Sequence, residues 1–256
     1  MTGTRRPLAL VTGATAGIGA EFARALAAAG NDLVLVARDA ARLETSAAAL
    51  RAAHGVRVDV IAADLTTPAG IDVVQRRVAE SVHPVDILVN NAGFGLRGDF
   101  EKTALDDELA LLDLLVTVPM RLSHAALAQM LPRRSGTIVN VASVAGFTPR
   151  GSYGAAKAWV LSFSRWANLH YRPSGITVTA VAPGFVRTEF HERMAVQTTA
   201  VPRFMWLDAS TLVRLALRDV ARGRAVSIPT LRYKLLVAAV AVLPDRWTAM
   251  GELKPR

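Results

Sequence analysis

The chain contains no cysteine, which excludes disulfides, thiolate nucleophiles and cysteine-ligated zinc. Histidine is scarce at five residues, and no His/Asp/Glu group has metal-ligand spacing; His191 stands alone as a surface or covering-segment residue. Long apolar runs are also missing. The longest, LLVAAVAVL at 235–243, has nine residues, about half of the ~20 that a membrane-spanning helix requires. The N-terminal PLALV is too short for the apolar centre of a secretory leader. These absences lead to the expectation of a cytoplasmic protein.

The formal net charge of +9 raises the question of nucleic acid. Residues 1–200 carry 20 basic and 17 acidic side chains, and the last 56 residues carry 10 and 4. The excess is thus C-terminal and has no dense basic run interleaved with aromatics, so no nucleic-acid partner is expected. A basic, partly apolar C-terminus suits an anionic lipid surface, an acidic carrier or an acidic substrate instead.

What the chain does have is 52% hydrophobic residues over 256 positions, enough for one large domain or two small ones with a sizeable core. Short apolar runs alternate with stretches of helical period. Strands are expected at 7–13, 32–38, 57–62, 86–90, 136–142, 176–182 and 225–229. Helices are expected at 17–30, 39–55, 68–82, 104–131, 152–170 and 208–221. No linker or long repeat interrupts the alternation. The reading is a single α/β domain over 1–256, a doubly wound Rossmann-type fold with a mainly parallel seven-stranded sheet. Ligands of such sheets bind at the carboxyl ends of the strands, where strand order reverses.

At the end of the first strand stands TGATAGIG (12–19), with Gly13, Gly17 and Gly19 in G-x3-G-x-G spacing. Missing side chains allow a tight turn and a close approach to a pyrophosphate at a helix N-terminus. A loop that follows a first strand and opens a first helix is placed for dinucleotide binding. At the end of strand two, where an acidic residue would bind a ribose 2′-hydroxyl, the chain has Ala37 and then Arg38. A guanidinium there suits a 2′-phosphate, so NADP(H) is preferred, with NAD(H) the second choice. Arg42, one turn on, either assists or is simply exposed. YGAAK (153–157) places Tyr153 and Lys157 at i and i+4, on one helix face.

These motifs together resemble the short-chain dehydrogenase/reductase family, and the resemblance covers most of the chain. It implies a cofactor loop built on Gly13, Thr15, Gly17, Ile18 and Gly19. It implies adenine-side contacts from Asp64 and Leu65 in AADLT, and a cofactor passage along Asn91, Ala92 and Gly93 of NNAG. PGFVRT would lie beside the nicotinamide through Pro183, Gly184, Val186 and Thr188. Tyr153 is then the acid/base, Ser143 of NVASVAG holds the carbonyl oxygen, and Lys157 holds the nicotinamide ribose and lowers the pKa of the phenol; Tyr153 and Lys157 also line the cofactor site. The activity implied is hydride transfer between NADP(H) and a carbonyl or secondary alcohol.

Two features depart from the family pattern. The asparagine that opens the long helix and carries a relay water is replaced by Leu115, with Thr117 and Ser123 as the nearby polar candidates. Ser143 precedes Tyr153 by only ten positions, which reads as a trimmed wall on the substrate side; Ser152 would point away from Tyr153. Leu115 motivates a competing reading, a dinucleotide-binding sensor or scaffold with little turnover.

Residues 188–207 form the expected substrate-covering segment. Phe190, Met194, Phe204, Met205 and Trp206 either meet a lipophilic small-molecule substrate or pack on the body. Trp159, Phe163 and Trp166 widen the apolar face of the helix that carries Tyr153, and the family commonly uses that face to form homodimers or homotetramers. Residues 231–256 are the expected C-terminal helix and tail; the segment 231–243, basic then apolar, closes a subunit contact in the preferred reading, with contact with a membrane surface the lesser alternative.

Overall fold

The computed structural model describes residues 5–96, 98–187, 202–240 and 242–244. Strands β1 (Leu8–Thr12), β2 (Asp32–Ala37), β3 (Val58–Ala62), β4 (Ile87–Asn90), β5 (Gly136–Val141), β6 (Ile176–Val181) and β7 (Val226–Ser227) form one sheet in the order β3-β2-β1-β4-β5-β6-β7. All pairings between neighbouring strands are parallel. The seventh strand is shorter than 225–229 because Ile228 and Pro229 leave the ladder; proline has no N–H to contribute.

Helices α1 (Gly17–Ala28), α2 (Ala40–His54), α3 (Pro68–Ala79), α4 (Leu105–Leu112), α5 (Val118–Arg133), α6 (Gly151–Tyr171), α7 (Ala209–Ala221) and α8 (Leu231–Val240) cover both faces. Every residue of β1 is buried, and its side chains alternate between two cores. Ala9 and Val11 join Phe22 and Leu26 of α1 and Leu212 and Ala216 of α7. Leu8 and Leu10 join Val74 and Val78 of α3 and Leu122 and Met130 of α5. Strand order reverses between β1 and β4, and this opens a crevice at their carboxyl ends.

The single helix expected at 104–131 is broken. Asp113–Thr117 form a wide π turn between α4 and α5, in which Val118 donates to the carbonyl five residues back, at Asp113. Pro119 supplies the reason. It has no N–H to give to the carbonyl of Leu115, so the regular ladder fails at that point. Length and composition would let the stretch Leu105–Arg133 cross a membrane, but half of its most apolar window is buried inside the protein.

Candidate active site

Ser143 stands two residues beyond β5 and opens a short 3-10 turn, Val144–Phe147; its Oγ accepts from the N–H of Ala145 at 3.1 Å. The same side chain hydrogen-bonds Tyr153. Lys157, one turn further along α6, donates from Nζ to the carbonyl of Val141 at 2.7 Å and lies 5.7 Å from the centre of the Tyr153 ring. The ten-residue spacing from Ser143 to Tyr153 closes because Gly146 lets the turn sit directly on α6. A Cβ at Gly146 would stand 2.7 Å from the backbone carbon of Lys157.

Burial governs the electrostatics of the pair. It pushes the Tyr153 hydroxyl up to about 12, against the opposing effect of the hydrogen bond from Ser143. It pushes the Lys157 ammonium down to about 8. In both groups the direction is set by burial, which takes water from the charged form.

Leu115 sits in the π turn and is 1% exposed. It packs with Leu111 and Ala156, and Phe94, Leu96 and Tyr153 close over the same cluster. Its methyl group lies against Gly93, where a Cβ would approach to 2.8 Å. The helix thus opens where the family pattern places asparagine, but the space beside Tyr153 is filled by leucine. Neither polar candidate takes its place. Thr117 donates to Asp113 at 3.0 Å, and buried Ser123 lies under the sheet, accepting from Asn90 at 3.3 Å. Ser152 gives its hydroxyl to Glu108.

The glycine loop has the shape that a pyrophosphate needs. Gly13 and Gly17 adopt φ of +67° and +54°, and a Cβ at Gly19 would lie 2.2 Å from the carbonyl oxygen of Gly13. The N-terminus of α1 follows Ala16, and no side chain caps it; its free N–H groups and its dipole suit an anion. Thr15 and Ile18 lie half-buried around this loop. Asn91 staples the loop to the next strand by donating to the carbonyls of Thr12 and Gly13 at 2.9 and 3.2 Å. The hydroxyl of Thr12 accepts from the N–H groups of Asn91 and Ala92 at 2.9 and 3.0 Å.

On the adenine side, Asp64 accepts from the N–H and hydroxyl of Thr66 at 3.0 and 2.7 Å. The Thr66 bonds, helped by the Arg38 guanidinium, hold its carboxyl below the usual value. Leu65 is buried beside it, and Arg38 is exposed. Arg42 reaches the carbonyl of Thr15 at 3.4 Å. These residues fit a dinucleotide: an uncapped helix start and glycine cradle for the diphosphate, and an exposed guanidinium near the ribose position.

Pro183 accepts from Val144 at 3.0 Å, which ties the next loop to the Ser143 turn. Val186 pairs with Leu207 in an isolated bridge. Trp206 packs on Phe185, with ring centres 5.8 Å apart, and Met205 packs against the core. Phe204 is exposed. Thr188, Phe190, His191 and Met194 lie outside the described residues.

Three contributors escaped the sequence reading. Glu108 is buried and accepts from Thr103 at 2.6 Å and from Ser152, the neighbour of Tyr153. Tyr233 donates to the carbonyl of Met205 at 2.7 Å. Gly146 is the third. Only Gly146 left a trace, as a glycine within a shortened loop.

A doubly wound parallel sheet with a glycine cradle at the start of its first helix, and a tyrosine–lysine pair beside it, defines a dinucleotide-dependent oxidoreductase. The family model for short chain dehydrogenase matches residues 7–198, and the chain belongs to the short-chain dehydrogenase/reductase family. It is 33% identical over 197 residues to a 3-oxoacyl-[acyl-carrier-protein] reductase of Synechocystis sp., covering 76% of this chain and 80% of that one. Among solved structures, it superposes on a short-chain dehydrogenase from Sphingobium yanoikuyae in complex with NADPH. That pair has a TM-score of 0.84 and 39% identity, over 97% and 96% of the two chains. A bulky-bulky ketone specific alcohol dehydrogenase from Comamonas testosteroni gives 0.81 and 38%, over 98% and 96%.

Proposed function

We propose that the protein is an NADP(H)-dependent reductase of moderately hydrophobic ketones or aldehydes, working in reverse on secondary alcohols. The observation that carries this reading is the convergence of Ser143, Tyr153 and Lys157 at the carboxyl end of β5, with the hydroxyl of Tyr153 bonded to Ser143. When bound, the nicotinamide supplies or accepts the hydride. Ser143 holds the carbonyl oxygen and Tyr153 gives it a proton; in the reverse direction the phenolate takes that proton back. Lys157 holds the ribose and, as a cation, favours the phenolate. Gly13, Gly17 and Gly19 with the start of α1 bind the diphosphate, Arg38 the 2′-phosphate, and Pro183, Gly184 and Val186 flank the nicotinamide.

Phe94 and Leu96 pack beside Tyr153 and Trp206 stands on Phe185; with Met205, these apolar side chains make up the substrate side of the proposed site. The relative acting on bulky ketones and the NADPH-bound relative support the same substrate class and cofactor. Exposed Trp166 and Leu169 on α6 and Met120 on α5 support a homo-oligomer built on that face.

The test is NADPH fluorescence on mixing with protein, then its loss on adding aliphatic, aromatic and steroidal ketones, repeated with Tyr153→Phe. Substrate-dependent loss that disappears in the variant is the expected result. Leu115 favours a second reading, a sensor that binds NADPH without consuming it. Tight binding with no loss across the panel selects that reading, and absence of binding overturns both.

A further inference from the structure

Tyr233 is the only fully buried residue of α8, 1% exposed on a helix whose Leu231, Leu235 and Leu236 face outward. Its ring fills the space over Gly184. A Cβ on that glycine would stand 1.8 Å from the ring carbon Cζ, so position 184 must be glycine for Tyr233 to be seated. The hydroxyl has two partners. It accepts from the N–H of Phe185 at 2.9 Å and donates to the carbonyl of Met205 at 2.7 Å.

One oxygen therefore bridges the loop at 183–186 and the arm at 202–207. These two segments already share a seam: Leu207 donates to Phe185 at 2.8 Å and Arg187 donates to Leu207 at 3.1 Å. Trp206 leans on Phe185. The backbone pairing stops at Leu207, and the hydroxyl of Tyr233 carries the connection on to Met205. A phenylalanine at 233 would keep the ring on Gly184 and lose this link. It would also remove the hydrogen bond that the part-buried N–H of Phe185 gives to Tyr233.

We infer that Tyr233 is a positioning residue for the substrate, holding Met205 and Trp206 against the loop beside the nicotinamide so that the C-terminal helix sets the fit of the pocket. This rests on the proposed function, in which Pro183–Val186 flank the nicotinamide and Met205 and Trp206 line the substrate side. This helix buries one side chain and also packs against the Val144–Phe147 turn; the Tyr233 hydroxyl is what ties it to Met205.

The test compares wild type with Tyr233→Phe in two readouts, both with NADPH bound. In steady-state kinetics with the best ketone of the panel, the variant is expected to raise KM about tenfold, the effect of roughly one to two lost hydrogen bonds. The kcat and the NADPH dissociation constant are expected to stay within about twofold, because the ring still covers Gly184. In amide hydrogen exchange, the peptide spanning 203–207 is expected to exchange about tenfold faster in the variant. Faster exchange with an unchanged KM would overturn the inference and leave Tyr233 as an anchor of the 202–207 arm with no part in substrate binding. If wild type oxidises no NADPH with any ketone, the functional reading falls and exchange decides the link. Equal exchange in the two proteins overturns it; faster exchange in the variant upholds it without the substrate assignment.

Discussion

Lys157 lies 5.7 Å from the ring centre of Tyr153 and spends a hydrogen bond on the carbonyl of Val141. Burial holds its ammonium at about 8 and the Tyr153 hydroxyl at about 12. Carbonyl reduction uses the protonated form of both. Between pH 6 and 10 the phenol stays protonated, so the lysine alone sets the alkaline limb. The expected profile of kcat/KM for reduction is level up to about pH 8 and then falls, approaching tenfold per unit as the cation is lost. A profile flat through pH 10 would contradict this assignment.

The same burial predicts a stability cost. A lysine depressed from 10.5 to about 8 disfavours the folded state wherever it must be charged, below about pH 8. That cost shrinks as pH rises from the folded value to the unfolded one. Lys157→Met is therefore expected to stabilise the cofactor-free protein at pH 7 by roughly 2 kcal/mol, after allowing for the lost bond to Val141. The gain should shrink between about pH 8 and pH 10.5, where the cost of the buried ammonium disappears, while turnover is abolished. Thermal melts at pH 7 and pH 10.5 check the sign; destabilisation at pH 7 would show that the bond to Val141 dominates.

Leu115 fills the opening made by the π turn. Replacing it with asparagine puts a polar group where a water can be held beside Tyr153. The expected outcome of Leu115→Asn is a loss of about 1–3 kcal/mol in stability, from placing an amide in an apolar cluster. It is accompanied by a rise in kcat of about tenfold, since proton delivery is part of the chemical step. Urea unfolding and ketone kinetics read the two effects separately. A fall in kcat in a protein that still binds NADPH would mean that the proton takes a route Leu115 does not block.

Gly19 has no room for a side chain. A Cβ would come within 2.2 Å of the Gly13 carbonyl and 2.4 Å of the Asn91 amide, pushing apart the two sides of the cradle. Gly19→Ala is expected to weaken NADPH binding by about a hundredfold, the equivalent of ~3 kcal/mol. Fluorescence titration measures it, and an affinity within threefold of wild type would remove the loop from the cofactor site.

Arg38 is exposed and acts on Asp64 through its charge. Arg38→Asp replaces a cation with a carboxylate where a 2′-phosphate would lie. The expected result is NADPH binding weakened about thirtyfold, or ~2 kcal/mol. NADH binding should be unchanged or tighter, because a carboxylate can accept from a 2′-hydroxyl. Parallel losses for both cofactors would place the phosphate elsewhere.

What could be read along the chain was whatever depends on near neighbours. Strand and helix alternation follows from hydrophobic period, the turns at Gly13 and Gly17 from a positive φ that glycine tolerates, and the shared face of Tyr153 and Lys157 from helical geometry. The break at Asp113–Thr117 was also within reach, since Pro119 withholds one N–H. Tertiary structure decided the rest, because it turns on distance and solvent. Ser143 reaches Tyr153 only through the packing of Gly146 on α6. The phenol rises and the ammonium falls because the fold removes water from both. Glu108 meets Ser152 across 44 positions and Tyr233 meets Phe185 across 48; no local period encodes such contacts, because they form only when separate elements are brought together.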